Sequence, residues 1–166
     1  MSTDVHKSGP LRGALIPALV SLAAAFGVAA LGGMATASSV ETWYATLQKP
    51  AFNPPNGIFA PVWTTLYALM AIAAWRVWQA SSGPVRRRAI GLYAAQLVLN
   101  LGWSWLFFGL RQPGLALAEI AVLFVAVVLT GLTFWRIDRP AGLVFVPYAA
   151  WVAFASLLNF EIWRLN

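Results

Sequence analysis

The stretch GLALAEIAVLFVAVVLTGLTFW, residues 114–135, contains a single charged residue, Glu119. A run of about 20 apolar residues is the length that an α-helix needs to cross a hydrocarbon core roughly 30 Å thick. Four further stretches of similar length and character occur in the chain, so the sequence predicts five membrane spans. We place the spans at about 12–36, 58–79, 88–108, 114–135 and 141–163.

The composition places the whole chain in a bilayer. Of its 166 residues 60% are hydrophobic and 10% are charged, whereas soluble proteins carry about 25% charged residues. We therefore predict an all-α integral membrane protein, a five-transmembrane-helix bundle that forms one domain over 12–166 after a polar tail at 1–11. Cysteine is absent and His6 is the only histidine, so we predict no metal site.

Basic residues are distributed unequally between the two faces that the five spans define. The face of the N-terminus holds eight and the opposite face holds three, Lys49, Arg111 and Arg164. Because cytoplasmic loops carry the excess of Lys and Arg, we predict a cytoplasmic N-terminus in a bacterial cell membrane. This topology accounts for the net charge of +6 without nucleic acid as a partner. The eight are Lys7, Arg12, Arg76, Arg86, Arg87, Arg88, Arg136 and Arg139.

The run GPVRRR, residues 83–88, lies between the second and third predicted spans. It could bind anionic lipid headgroups, but a topology anchor needs the same residues at the same place. We interpret it as the anchor.

The segment WYATLQKPAFNPP, residues 43–55, joins the first two spans and contains three prolines. Proline fixes φ, removes a backbone donor and pushes the preceding residue out of the α region, so the segment cannot continue either helix. The sequence predicts a stiff, structured loop here.

Polar side chains within the spans indicate where the helices face one another. Gln96 and Asn100 lie four residues apart, on one face of the third span. Such residues normally face the bundle interior, where they bind a partner helix or a ligand, and both interpretations stay open. For Glu119 and Glu161 we predict a pair with Arg111 or with a donor from a loop.

Nine tryptophans are many for a chain of this length. Several fit the aromatic belt at the membrane surface. Trp63, Trp103, Trp105 and Trp151 lie deeper or beside polar neighbours. Several rings around one cavity would suit a flat aromatic ligand, while packing between helices would need the same spacing. The sequence leaves both possibilities open.

Small residues recur at four-residue spacing, for example at Ala29 and Gly33 and at Gly91 and Ala95. Faces of this kind let helices approach closely, within one bundle or between two protomers. We predict a homodimer through the face of the third helix.

Four blocks of the sequence, in order, resemble the TspO/MBR family, the tryptophan-rich sensory or translocator proteins. The blocks are WYATLQKPAFNPP, APVWTTLYALM, AAQLVLNLGWSWLFFG and VPYAAWVAFASLLNFEIWRLN, and the resemblance extends from about residue 12 to the end of the chain. It implies a five-helix bundle, often dimeric, with a cavity that the loop between the first two helices covers. It also implies porphyrin ligands such as protoporphyrin and haem, with sterols in some members, and no required cofactor.

The resemblance carries over to individual residues. Trp63 and Trp151 match a tryptophan pair implicated in porphyrin binding and light-dependent porphyrin breakdown, and Asn100 matches a polar position of the third helix. Lys49, Arg111 or Arg164 at the wet rim could pair with the propionates of a porphyrin, which is our own inference. The full set of expected ligand-binding residues is Trp43, Pro50, Phe52, Asn53, Trp63, Tyr67, Asn100, Trp103, Tyr148, Trp151, Ala155 and Leu158.

Three positions depart from the family pattern. Gly57 stands where many members have tryptophan and Leu115 where animal members have it, which removes two ring contacts to drug-like ligands. Phe160 stands where the proposed sterol motif has tyrosine, and such motifs are weak even when intact. The sequence therefore argues against sterol binding.

The leading functional prediction is a membrane protein that binds porphyrins and acts as a sensor, carrier or regulator of tetrapyrrole levels, and not as an enzyme. One alternative is light- and oxygen-dependent porphyrin degradation that uses Trp63 or Trp151. The chain offers no acid/base pair or metal site for it, so this chemistry would be the ligand's own. A sterol or lipid transporter and a regulator of a partner protein are further alternatives.

Overall fold

The computed structural model describes residues 10–166, with side chains from Leu15 onward. Throughout these residues the chain is helical or in short turns, with no strand. Five helical segments are long and apolar enough to cross a membrane. These segments confirm the predicted all-α membrane fold with five spans. Residues 1–9 of the predicted polar tail, including His6 and Lys7, and the side chain of Arg12 lie outside the described residues.

Seven α-helices, a single 3-10 turn and a single π-helical turn follow one another along the described chain. The α-helices are α1 (Pro10–Val40), α2 (Trp43–Thr46), α3 (Phe59–Ala80), α4 (Gly83–Ser104), α5 (Pro113–Ile137), α6 (Arg139–Leu143) and α7 (Phe145–Leu165). The 3-10 turn (Asn56–Ile58) leads into α3, and the π-helical turn (Trp105–Gly109) continues α4. The last span consists of α6 and α7 together.

The third span begins earlier than the sequence predicts. Helix α4 starts at Gly83, five residues before the predicted start at 88. Pro84 lies in its first turn, where a missing N–H costs no hydrogen bond and the fixed φ favours a helix. The arginines of GPVRRR therefore belong to the first turns of α4 and not to a loop. Arg86 donates to the Ser81 carbonyl and stacks on Trp78 at 4.6 Å.

The first span ends later than predicted, at Val40 instead of 36. Ser38 and Thr42 hydroxyls bond to carbonyls of the preceding turn, at 2.9 Å for Ser38 and 3.1 Å for Thr42. These bonds satisfy both hydroxyl groups locally, so polar residues are accommodated at the end of α1 and just after it.

The backbones of α5, α6 and α7 approach one another at two glycines. A Cβ at Gly142 would lie 2.5 Å from the Trp135 Cα, and a Cβ at Gly131 would lie 2.8 Å from the Phe145 Cβ. Helices in membranes associate largely through close packing of small residues. These two positions therefore admit no side chain in the present packing.

The outer surface of the bundle is apolar, as lipid contact requires. Val98 of α4, for example, is 68% exposed. Gly91 and Ala95 lie on exposed positions of the same helix, and nothing lies within 4 Å of a Cβ built at Gly91. The homodimer through this face stays a prediction.

Candidate ligand-binding cavity

A cavity of about 530 Å³ lies between α1, α3, α4 with its π-helical turn, and α7. The loop between α1 and α3, residues 41–55, contributes Glu41 and Tyr44 to its wall, and we call this loop the cover. None of the described residues of α5 lines the cavity. Eight of the 24 lining residues are aromatic: Tyr44, Phe59, Trp63, Tyr67, Trp103, Phe107, Phe108 and Trp151.

The rings form two groups on different helices. On the side of α4, Trp103 stacks on Phe107 with centroids 5.4 Å apart. On the side of α3 and α7, Trp63 lies 5.7 Å from Tyr67, and Trp151 meets Phe59 edge-on at 5.8 Å. Aromatic pairs at these distances stabilise one another beyond their buried area, so the walls hold their shape.

The π-helical turn widens the aromatic wall of α4. Phe107 and Phe108 are consecutive, yet both line the cavity. The Leu110 N–H donates to the Trp105 carbonyl at 2.7 Å, five residues back, which is the wide turn of a π-helix. Such turns are rare and occur often at functional sites. Gly109 permits this one, because a Cβ there would lie 2.9 Å from the Trp105 ring.

A chain of buried hydrogen bonds starts at two residues that line the cavity, Tyr67 and Asn100. The Tyr67 hydroxyl donates to Asn100 Oδ1, and Asn100 Nδ2 donates to the Tyr148 hydroxyl at 3.0 Å. That hydroxyl donates in turn to Gln96 Oε1 at 3.0 Å. These bonds join α3, α4 and α7, as buried polar groups in a membrane require. Gln96 serves helix contact, whereas Asn100 both joins helices and lines the cavity.

Two indole N–H groups differ in their partners. Trp103 Nε1 donates to Asn159 Oδ1 at 3.0 Å, and Asn159 Nδ2 donates to the Pro113 carbonyl at 2.8 Å. Trp151 Nε1 is buried and has no hydrogen-bond partner among the described residues. An unpaired buried donor is costly, and Trp151 lines the cavity. The Trp151 ring therefore contributes to the wall of the cavity, whereas its N–H is shielded from the cavity.

The cover is held down by Tyr44. Its ring packs 5.6 Å from Phe108, and its hydroxyl donates to Asn53 Oδ1 at 2.9 Å. Burial raises the pKa of the Tyr44 phenol, and the hydrogen bond to Asn53 lowers it by less, so the phenol stays neutral near pH 7. The Lys49 ammonium lies over the same ring, 4.7 Å from its centroid. The cover thus has a fixed internal structure, as its prolines predict.

Comparison with known proteins decides the family. The sequence profile described as the TspO/MBR family matches residues 19–164. This chain belongs to the TspO/MBR family. It is 44% identical over 139 residues to the tryptophan-rich protein TspO of Chlorobaculum tepidum, covering 81% of this chain and 86% of that protein. It is 42% identical to the tryptophan-rich sensory protein of Cereibacter sphaeroides, over 84% and 88% of the two chains, and 39% identical to the translocator protein of Bos taurus, over 82% of each.

The expected ligand-binding residues of this TspO/MBR protein fall into two groups. Seven line the cavity: Trp63, Tyr67, Asn100, Trp103, Trp151, Ala155 and Leu158. The other five support those that line it or belong to the cover: Trp43, Pro50, Phe52, Asn53 and Tyr148. Trp43, for example, packs edge-on against Phe107 at 5.7 Å, and Phe52 packs against Phe154 at 6.3 Å. Ligand contact stays a prediction for both groups.

The sequence analysis missed the wall that α1 contributes. Ala29, Gly33 and Thr36 line the cavity, and Gly32 beside them would bring a Cβ within 3.2 Å of Ser104 Oγ. The signal was present as the four-residue spacing of small residues in the first span. We interpreted it as helix approach, because small residues carry no chemistry that indicates a ligand.

The charged residues around the TspO/MBR cavity differ from our expectation. Glu161 binds Arg164 at 2.6 Å, three residues on in the same helix. Both carboxylate oxygens of Glu119 are buried without a hydrogen-bond partner in the described chain, so the predicted pairs with Arg111 are wrong. Among the described lining residues the one charged side chain is Glu41. The three predicted cations do not line the cavity.

Proposed function

We propose that this TspO/MBR protein binds a porphyrin-type tetrapyrrole in the cavity and acts as a sensor, carrier or regulator of tetrapyrrole levels. The cavity volume of about 530 Å³ lies within the range of about 300–1,000 Å³ that ligand sites occupy. Its walls combine aromatic rings with small residues of α1, which leaves space for a flat apolar molecule.

The observation that carries the proposal is the presence of three indole rings, from three helices, in the wall of one cavity. Trp63 and Trp151 face the cavity from α3 and α7, and Trp103 faces it from α4. Extended π-systems stack on such rings and gain dispersion energy.

Titration with protoporphyrin in the dark tests the proposal through tryptophan fluorescence. We expect saturable quenching, and we expect Trp151→Phe to weaken the affinity about tenfold, because part of the ring area that lines the cavity is lost. Trp135→Phe is the matched control, since Trp135 is 42% exposed and does not line the cavity. Its affinity should equal that of the original chain. Absence of saturable quenching would contradict the proposal, as would equal affinity for the two variants.

A second candidate function is light- and oxygen-dependent degradation of the bound porphyrin. It is favoured by the position of Trp63 and Trp151 in the wall of one cavity. A light-excited porphyrin would take an electron from one indole, and dioxygen would be the final oxidant. Repeating the titration under light distinguishes degradation from binding alone. Bleaching of the porphyrin that needs oxygen and disappears in Trp63→Phe or Trp151→Phe supports degradation. Bleaching at the rate of free porphyrin in both variants and the original chain excludes it.

We also propose that the N-terminus is cytoplasmic and that the cover faces the other side of a bacterial cell membrane. The chain contains no cysteine, so single cysteines report accessibility without background. Ala51 of the cover and Arg87 of α4 are both exposed. In intact cells we expect a membrane-impermeant thiol reagent to label Ala51→Cys and not Arg87→Cys. The reverse pattern would invert the topology.

A further inference from the structure

The side chain of Asn166 binds the backbone of Gln48, 118 residues earlier in the chain. Asn166 Oδ1 accepts from the Gln48 N–H at 2.9 Å, and Asn166 Nδ2 donates to the Gln48 carbonyl at 3.0 Å. The same Nδ2 donates to the Ile162 carbonyl at 2.8 Å, in the last turn of α7. One carboxamide thus satisfies both polar groups of a cover residue while it is itself fixed to α7.

This contact has a local structural cause. Helix α2 ends at Thr46, and Leu47 after it is extended, with φ −71° and ψ 145°. The N–H and carbonyl of the next residue, Gln48, therefore have no helical partner within the cover. A primary amide presents a donor and an acceptor side by side, which matches that pair of backbone groups.

The contact joins two parts of the candidate site. Tyr44, four residues before Gln48, lines the cavity from the cover, and Ile162 lines it from α7. The other side-chain hydrogen bonds of the cover in the described chain stay within it or reach the adjacent end of α1. Asn166 therefore supplies the polar connection between the cover and a distant helix.

We propose that Asn166 is a positioning residue of the ligand site, whose carboxamide fastens the cover to α7 and whose release lets the cover lift. Gln48 and Asn166 are exposed, so water competes for these bonds and the contact is readily reversible. The rings of Trp43 and Tyr44 on Phe107 and Phe108 hold the cover's inner side. The part of this inference that concerns ligand exchange rests on the proposed function.

Hydrogen exchange of the ligand-free protein in detergent tests the contact directly. In Asn166→Ala we expect the amides of residues 47–53 to exchange about tenfold faster, which corresponds to about 1.4 kcal/mol. Asn166→Asp keeps the acceptor for the Gln48 N–H and loses both donor bonds, so its exchange should be intermediate. Glu161→Gln is the matched control, because Glu161 lies in the same end of α7 and bonds to Arg164 instead of the cover. Amides of α5 should exchange equally in all variants.

Dissociation of protoporphyrin, followed as recovery of tryptophan fluorescence on dilution, tests the consequence for the ligand. We expect it to be about tenfold faster in Asn166→Ala than in Glu161→Gln. Unchanged exchange at 47–53 in Asn166→Ala would overturn the contact as a fastening. Faster hydrogen exchange at 47–53 together with an unchanged rate of protoporphyrin dissociation would overturn the role of Asn166 in ligand passage. If the original chain binds no porphyrin, the proposed function fails, while hydrogen exchange still decides whether Asn166 fastens the cover.

Discussion

Gly142→Ala should lower the free energy of unfolding by about 3 kcal/mol, because the new methyl group has no space. Its Cβ would lie 2.5 Å from the Trp135 Cα and 2.6 Å from the Trp135 N. Both are backbone atoms, so no side-chain rotation relieves the clash and α6 must move away from α5. Unfolding by sodium dodecyl sulfate from mild detergent micelles, followed by tryptophan fluorescence, measures the change.

Gly27→Ala is the control for helix propensity. Gly27 lies inside α1, and nothing lies within 4 Å of a Cβ built there. Alanine is favoured over glycine in a helix by about 1 kcal/mol, so this variant should unfold at the same or higher detergent fraction. If Gly142→Ala matched Gly27→Ala, the close approach of α5 and α6 would not exist in the protein.

Ala155→Phe should weaken porphyrin binding about a hundredfold without loss of stability. Ala155 lies on α7 and lines the cavity. A phenylalanine ring there enters space that the ligand needs, and forced overlap in a packed site costs about 1–3 kcal/mol. Because the cavity is open space in the free protein, the same ring does not strain the ligand-free bundle. Fluorescence quenching by protoporphyrin measures the affinity.

The matched control places the same ring two residues away on the same helix. Ala153 is exposed on the outer side of α7 and does not line the cavity. Ala153→Phe should bind protoporphyrin as the original chain does. Equal affinity for Ala155→Phe and Ala153→Phe would show that the porphyrin binds outside this cavity.

The sequence predicted those features that are determined locally. Apolar runs of about 20 residues identify spans, because any lipid-exposed helix needs them. The three prolines of the cover exclude helix wherever the loop packs. Gln96 and Asn100 share a helix face by spacing alone, and their bonds to Tyr148 follow from the scarcity of other partners in the bundle.

Features that depend on which helices are neighbours could not be predicted. The π-helical turn places Phe107 and Phe108 against Trp43 and Tyr44 of the cover, and no local pattern records contacts between such distant segments. The contact between Gln48 and Asn166 joins residues 118 apart, and an asparagine at a helix end has many other uses. Lys49 lies over the Tyr44 ring and Arg164 pairs within its own helix, and the sequence alone shows neither contact.

The contributions of α1 and α7 to the same cavity have a consequence for biosynthesis. The chain is synthesised from its N-terminus, so α1 and α3 enter the membrane while α7, with Trp151, Ala155 and Leu158, is still untranslated. Until α7 inserts, the cavity has an open side and Gln48 of the cover lacks its hydrogen-bond partner Asn166. Nascent chains should therefore acquire ligand affinity only with the final insertion step, and a product truncated before α7 should carry no functional site.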